Sequence, residues 1–167
     1  HSNSRIIGAR KRDVASVIEE LTLLQNKYHF DFYHILDDTF GYRSDDIIDF
    51  CRAYKASGLK MLWAAETRVG CIQSDEIVKA LKASGCIQLD CGVESGSPRL
   101  LKISQKGGTV EQTRLALELC GRHGLRTLAN MLLNLPEESD AVLELTEDLL
   151  DEINPTFPQT DVVIVIG

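Results

Sequence analysis

Four carboxylates of this chain fall where predicted strands end. Asp37 and Asp38 close one short apolar segment, Glu66 the next and Glu94 the one after, and positions 38, 66 and 94 are spaced 28 and 28 apart. A repeated β-loop-α unit would produce that spacing, and in parallel α/β folds the C-terminal strand ends build the ligand site. Any one of these acids could instead cap a helix or pair with an arginine such as Arg68; a series in register is harder to explain that way. Parity on Cys86–Glu94 adds to this: Gln88, Asp90, Gly92 and Glu94 share one face, and Ile87, Leu89, Cys91 and Val93 the other. The apolar face suits helices, so the polar face is expected to look into a cavity. Asn130 and Asn134 share a face on the following strand in the same way.

Three local motifs sit at the same strand ends. GVESGSP (92–98) sets a carboxylate and a glycine turn after a strand, so that backbone N–H groups and Glu94 can reach one ligand. KGGT (106–109) leads into a helix N-terminus, which favours an anion, although a turn plus an N-cap explains it equally. NLPEES (134–139) has a complete structural explanation as a strand-turn-helix junction. The five cysteines, 51, 71, 86, 91 and 120, show no CxxC or CxxxC spacing, and the histidines, 1, 29, 34 and 123, show no metal-ligand spacing. Scattered through apolar segments, the cysteines are expected to be reduced, buried thiols of a cytoplasmic protein. Trp63 is expected in the core.

The elements that must position these groups alternate. Helices are expected from Asp13 (Val14, Val17, Ile18, Leu21 and Leu24 on one face), from Ser44 to Gly58, from Ser74 to Gly85, from a Thr109–Gln112 capping box to Gly124, and from Ser139 to about Ile153. Strands are expected at Asp31–Asp37, Lys60–Ala65, Cys86–Val93, Arg126–Leu133 and Val162–Ile166. This order implies right-handed βαβ crossovers and a parallel sheet or barrel. It opens on a helix, as if the strand before it were missing.

At 167 residues the chain is expected to be one domain, 1–167. Its net charge of −7 disfavours direct nucleic-acid binding. No apolar run is long enough to span a membrane, since even Thr127–Leu133 is interrupted by Asn130.

The series R12-D13…IEEL, ILDDTF, W-x-x-x-T-R through Arg68, SGC…LDCGVESGSPRLL…KGGT and NMLLNLPEES resembles the radical S-adenosylmethionine (radical SAM) enzymes. The closest branch is the one that often carries an N-terminal cobalamin-binding domain. The resemblance covers roughly residues 10 to 166. It implies a partial TIM-like (βα)6 barrel, of which this chain holds strands two to six and lacks the first. It further implies a [4Fe-4S] cluster held by a CxxxCxxC loop whose last cysteine falls at or just before His1, so that the chain is the core of a longer protein with missing flanking domains. The implied activity is reductive cleavage of SAM to start radical chemistry on an unknown small-molecule substrate, with this core alone inactive. The implied SAM contacts are Asp37, Asp38 and Thr39 with the amino group, Glu66 near the ribose or methionine moiety, Glu94 and Ser95 with the ribose, Lys106 with the carboxylate, Asn130 facing the ribose, and Leu133 to Pro136 on the adenine side. Asn134 and Glu137 replace glycines common in the family's adenine-side turn. Two other classes fit the residues: a divalent-metal hydrolase using Asp38, Glu66 and Glu94 as oxygen ligands, and a non-catalytic α/β binding scaffold.

Overall fold

A computed structural model describes residues 11–37, 39–104, 108–134 and 138–162, with only the backbone of 157–162. The chain runs α1 (Val14–Tyr28), β1 (Phe32–Ile35), α2 (Ser44–Ser57), β2 (Leu62–Arg68), a 3-10 turn (Val69–Cys71), α3 (Asp75–Ala83), β3 (Cys86–Glu94), α4 (Pro98–Ser104), α5 (Val110–Arg122), β4 (Arg126–Leu133), α6 (Asp140–Ile153) and β5 (Phe157–Val162). The strands form one parallel sheet in the order β1-β2-β3-β4-β5. Sequential order with crossovers of one hand puts every connecting helix on the same side. The other side is left as the concave face of a partial barrel, as expected.

Local chemistry sets the boundaries. Asp13 caps α1 through the Ser16 N–H, and Thr109 and Gln112 form the expected reciprocal capping box on α5. Gly58 closes α2 at φ 76°, a conformation that costs a glycine little. Ile47, Phe50, Cys51 and Tyr54 of α2, Ile77, Val78 and Leu81 of α3, and Ala116, Leu117 and Cys120 of α5 pack on Trp63, Ala65, Leu89, Cys91, Ala129 and Met131 of the strands. Trp63 lies at the centre, fully buried, in edge contact with Phe40 (5.3 Å) and Phe50 (5.4 Å), and its indole N–H donates to the Ser84 carbonyl at 2.8 Å.

Several boundaries differ from those expected. β1 ends at Ile35, not Asp37, because its ladder with β2 stops at Ile35↔Ala65. β2 continues past Ala65 to Arg68, because Thr67 and Arg68 pair with Cys91 and Gly92. Glu66 therefore lies inside a strand rather than at its end. The segment after Gly96, read only as a turn, forms α4. The last strand begins at Phe157, five residues before Val162, and positions 163–166 of the expected strand lie outside the described residues.

Candidate functional site

The concave face is built by parity. Ala64, Glu66 and Arg68 of β2 are register partners of Gln88, Asp90 and Gly92 of β3, and these of Arg126, Leu128 and Asn130 of β4. The alternate residues, Ala65, Thr67, Leu89, Cys91, Thr127 and Ala129, are buried under the helices. One face is thus apolar and covered, and the other polar and partly open.

The loop after β1 is fastened to β2 rather than left free. The Phe40 N–H donates to the Glu66 carbonyl at 2.8 Å, and the Thr67 hydroxyl donates to the Phe40 carbonyl at 2.9 Å. The Phe40 ring is wedged against Phe50 and Trp63. This places half-buried Thr39 beside the end of β2, whereas Asp37 is exposed at the start of the loop. Arg68, a possible partner for the strand-end acids, lies over the Tyr42 ring at 5.8 Å.

The end of β3 is the most constrained part of the face. The β3–β4 register slips between Gly92 and Glu94, and Glu94 takes φ 68°, a left-handed conformation unusual for a residue with a side chain. The bulge folds the carboxylate back over Gly92: a Cβ at position 92 would lie 2.9 Å from Glu94 Oε1. Gly92 is flanked by Arg68 on β2 and Asn130 on β4, so Glu94, Arg68 and Asn130 surround one backbone position that carries no side chain. Ser95 is buried beneath this turn. Its hydroxyl accepts from the Ser97 N–H at 3.1 Å and lies 3.4 Å from the Thr146 hydroxyl, which also accepts from the Gly96 N–H at 3.0 Å. Ser95 therefore ties the turn to α6.

One face of the sheet carries Glu66, Asn130 and, through its bulge, Glu94, with Thr39 beside the end of β2. Leu133 is an odd number of residues from Asn130 and takes the opposite parity. Asn134 follows at φ 62°, with its N–H donating to Glu138. Asp38, Lys106 and Pro136 lie outside the described residues. One group escaped the sequence reading: His34, on the concave side of β1, lies 3.3 Å from Asp90. Its alternation with the helix-facing Tyr33 and Ile35 was the available signal.

The five cysteines are buried in the helix-covered core. Burial pushes the Cys51 thiol up to about 11 and Cys120 up to about 12, and also raises Cys71, Cys86 and Cys91. Protonated thiols facing away from the polar face do not fit an iron–sulfur cluster. A nucleoside with an amino-acid tail fits the polar face better: the missing side chain at Gly92 makes room for the Glu94 carboxylate on that face, and Glu94 and Asn130 offer acceptor and donor groups there.

The chain is similar over most of its length to known proteins. It is 32% identical over 160 residues to an uncharacterised methyltransferase of Pyrococcus horikoshii, covering 95% of this chain and 35% of that protein. It is 28% identical over 147 residues to an anaerobic magnesium-protoporphyrin IX monomethyl ester cyclase of Rubrivivax gelatinosus, covering 87% of this chain and 26% of the cyclase. The chain thus spans about a third or less of these relatives. In fold it matches TsrM of Kitasatospora setae, a radical S-adenosylmethionine methyltransferase whose structure holds cobalamin and a [4Fe-4S] cluster, with a TM-score of 0.81 at 21% identity over 91% of this chain and 31% of TsrM. The radical SAM superfamily matches residues 2–150, the span that contains β1 to β4 and the Glu94 bulge, and the chain belongs to that superfamily.

Proposed function

We propose that this chain is the SAM-binding barrel core of an enzyme that cleaves SAM reductively and directs the resulting radical at a small-molecule substrate. The observation that carries this reading is the β3 terminus, where a strained Glu94 closes over Gly92 beside Asn130. When bound, SAM and a reduced [4Fe-4S] cluster supply a carbon-centred radical able to abstract a hydrogen atom. The residues of this chain bind and orient: Glu94 accepts the ribose hydroxyls, Asn130 and Glu66 line the same face, Thr39 meets the amino end, and Ser95 holds the turn from below. Asp37, Asp38, Lys106 and Pro136 complete the contacts that the family resemblance implies, whereas Leu133, on the opposite parity, does not join them. Residues 1–167 contain no CxxxCxxC motif, which supports cluster ligands supplied from outside them, and the similarity to a cobalamin-binding methyltransferase supports cobalamin as a second cofactor. The similarity to two methyltransferases and a cyclase supports methyl transfer or ring closure as the reaction class. No helix among the described residues is long and apolar enough to cross a membrane. The five free, buried cysteines support a cytoplasmic protein, and the acidic balance supports one without a direct nucleic-acid partner.

SAM affinity on a protein extended through the cluster loop tests the reading. Charge-assisted hydrogen bonds contribute about 1.5–3 kcal/mol, so Glu94→Ala should weaken binding roughly 10- to 150-fold, and Glu94→Gln, which keeps an acceptor, by less. Unchanged SAM affinity together with a lowered melting temperature would make Glu94 a scaffold residue and sink the ribose role.

A further inference from the structure

His34 occupies the concave side of β1, since its neighbour Tyr33 turns to the helices and stacks on Trp63 at 6.4 Å. Its register partner on β2 is Ala64, which is in turn the partner of Gln88 on β3. A methyl group at that position leaves a gap through which the imidazole reaches past β2, bringing His34 Nε2 within 3.3 Å of Asp90 Oδ2. Asp90 is only 8% exposed, and its other oxygen accepts from Gln88 Nε2 at 2.8 Å. A buried carboxylate needs partners, and its register neighbours offer none: Glu66 is a second acid and Leu128 is apolar. Arg126, at the level of Gln88, turns its guanidinium to the Ile87 carbonyl. His34 is therefore the one cationic or N–H-bearing ring among the described residues that Asp90 has.

This geometry leaves half of the ring for something else. Nε2 is buried 3.3 Å from the carboxylate without forming a hydrogen bond to it; a carboxylate at that distance attracts an N–H and repels a lone pair, which leaves the lone pair on Nδ1. The side chain nevertheless keeps 29% of its surface. With Nε2 buried, that surface belongs to the rest of the side chain, whose other polar atom is Nδ1. On the same face, one step toward the start of the strands, Phe32 and Leu62 are register partners and stand 44% and 47% exposed. An oriented acceptor beside an apolar floor suits a flat, largely apolar group that carries one N–H or O–H donor.

We infer that His34 is a specificity-determining residue of the lumen. Its Nδ1 accepts the N–H or O–H of an aromatic group resting on Phe32 and Leu62, while Asp90 and Gln88 fix the ring. This rests on reading the concave face as a ligand-facing lumen, but not on SAM binding itself.

The test uses the 167-residue chain labelled with 15N-histidine and three probes of similar size: indole, phenol and toluene. In long-range 1H–15N spectra the neutral His34 ring should carry its proton on Nε2. Indole and phenol should move the Nδ1 resonance and bind about 2- to 13-fold more tightly than toluene, the range expected for one hydrogen bond. His34→Leu should bind the three probes equally, and Asp90→Asn should weaken indole and phenol but not toluene. Ala64→Leu, which fills the gap and leaves the pair's own residues intact, should detach His34 from Asp90 and remove the same preference. A ring protonated on Nδ1, or equal affinity for toluene and indole in the unaltered chain, overturns the assignment. SAM affinity is measured separately, so SAM binding left unchanged by Glu94→Ala with the probe preference intact counts against the SAM reading alone.

Discussion

Replacing Gly96 by alanine puts a methyl group where helix α6 already lies. The added Cβ would sit 2.2 Å from the Leu145 carbonyl oxygen, 2.6 Å from its carbon and 2.7 Å from the Thr146 Cα. All three are backbone atoms of a helix, so no side chain can swing aside. Ordinary contact begins near 3.4 Å, so α6 has to retreat by about 1 Å, the scale of core overpacking, which costs about 1–3 kcal/mol. The retreat also stretches the Gly96 N–H bond to the Thr146 hydroxyl, now 3.0 Å, and the Ser95–Thr146 contact at 3.4 Å. Each buried hydrogen bond adds about 0.5–1.5 kcal/mol. A total near 4 kcal/mol lowers the melting temperature of a chain this size by about 8–16 °C, read by urea titration and thermal melting. Gly92→Ala is the comparison: its Cβ meets only the movable end of Glu94 at 2.9 Å, so it should cost under about 1 kcal/mol yet weaken SAM binding. If Gly96→Ala lies within 1 kcal/mol of the parent, or Gly92→Ala costs as much, the turn is not pinned to α6 as described.

Trp63→Phe removes the donor to the buried Ser84 carbonyl and should destabilise by about 1–3 kcal/mol, measured by urea unfolding. The five thiols should resist Ellman's reagent in the folded chain at pH 8 and react fully in urea, since burial holds each protonated; fast reaction of Cys51 or Cys91 in the native state would contradict the packing. The Lys11 ammonium, with the Arg43 N–H, holds the Asp46 carboxyl below the usual carboxylate range. A depressed folded value contributes stability that is full above the unfolded value, near 3.9, and is lost as pH falls through the folded one. Asp46→Asn should therefore flatten the acid limb of the pH–stability curve, and an unchanged limb would assign that stability elsewhere.

Much of this architecture was legible because period and punctuation agree. Thr109 and Gln112 announce α5, Arg126–Leu133 reads directly as β4, and Ser139 marks the start of α6. Strand lengths were less legible, since they depend on the neighbouring strand. Glu66 looks terminal in KMLWAAE, and only pairing of Thr67 and Arg68 with β3 carries β2 beyond it. β5 was hidden by its composition, FPQTDV, which lacks a hydrophobic alternation. In the candidate site, parity along β3 identified the polar face. No local signal, however, indicates that Glu94 turns back over Gly92, or that His34 reaches across a strand because residue 64 is alanine. Both depend on what a neighbouring position lacks.

The sequential sheet order bears on how the chain is made. Each strand pairs with the strand synthesised just before it: Phe32 with Leu62, Ala64 with Gln88, Gln88 with Arg126 and Leu128 with Phe157. Among the described strands, no pairing awaits a distant segment. Loop-closure entropy grows only logarithmically with length, so every strand docks at nearly the same entropic cost as it leaves the ribosome, onto a surface already in place. Until the next strand arrives, the growing edge carries unpaired amides, and nascent chains halted between units are the forms most exposed to aggregation.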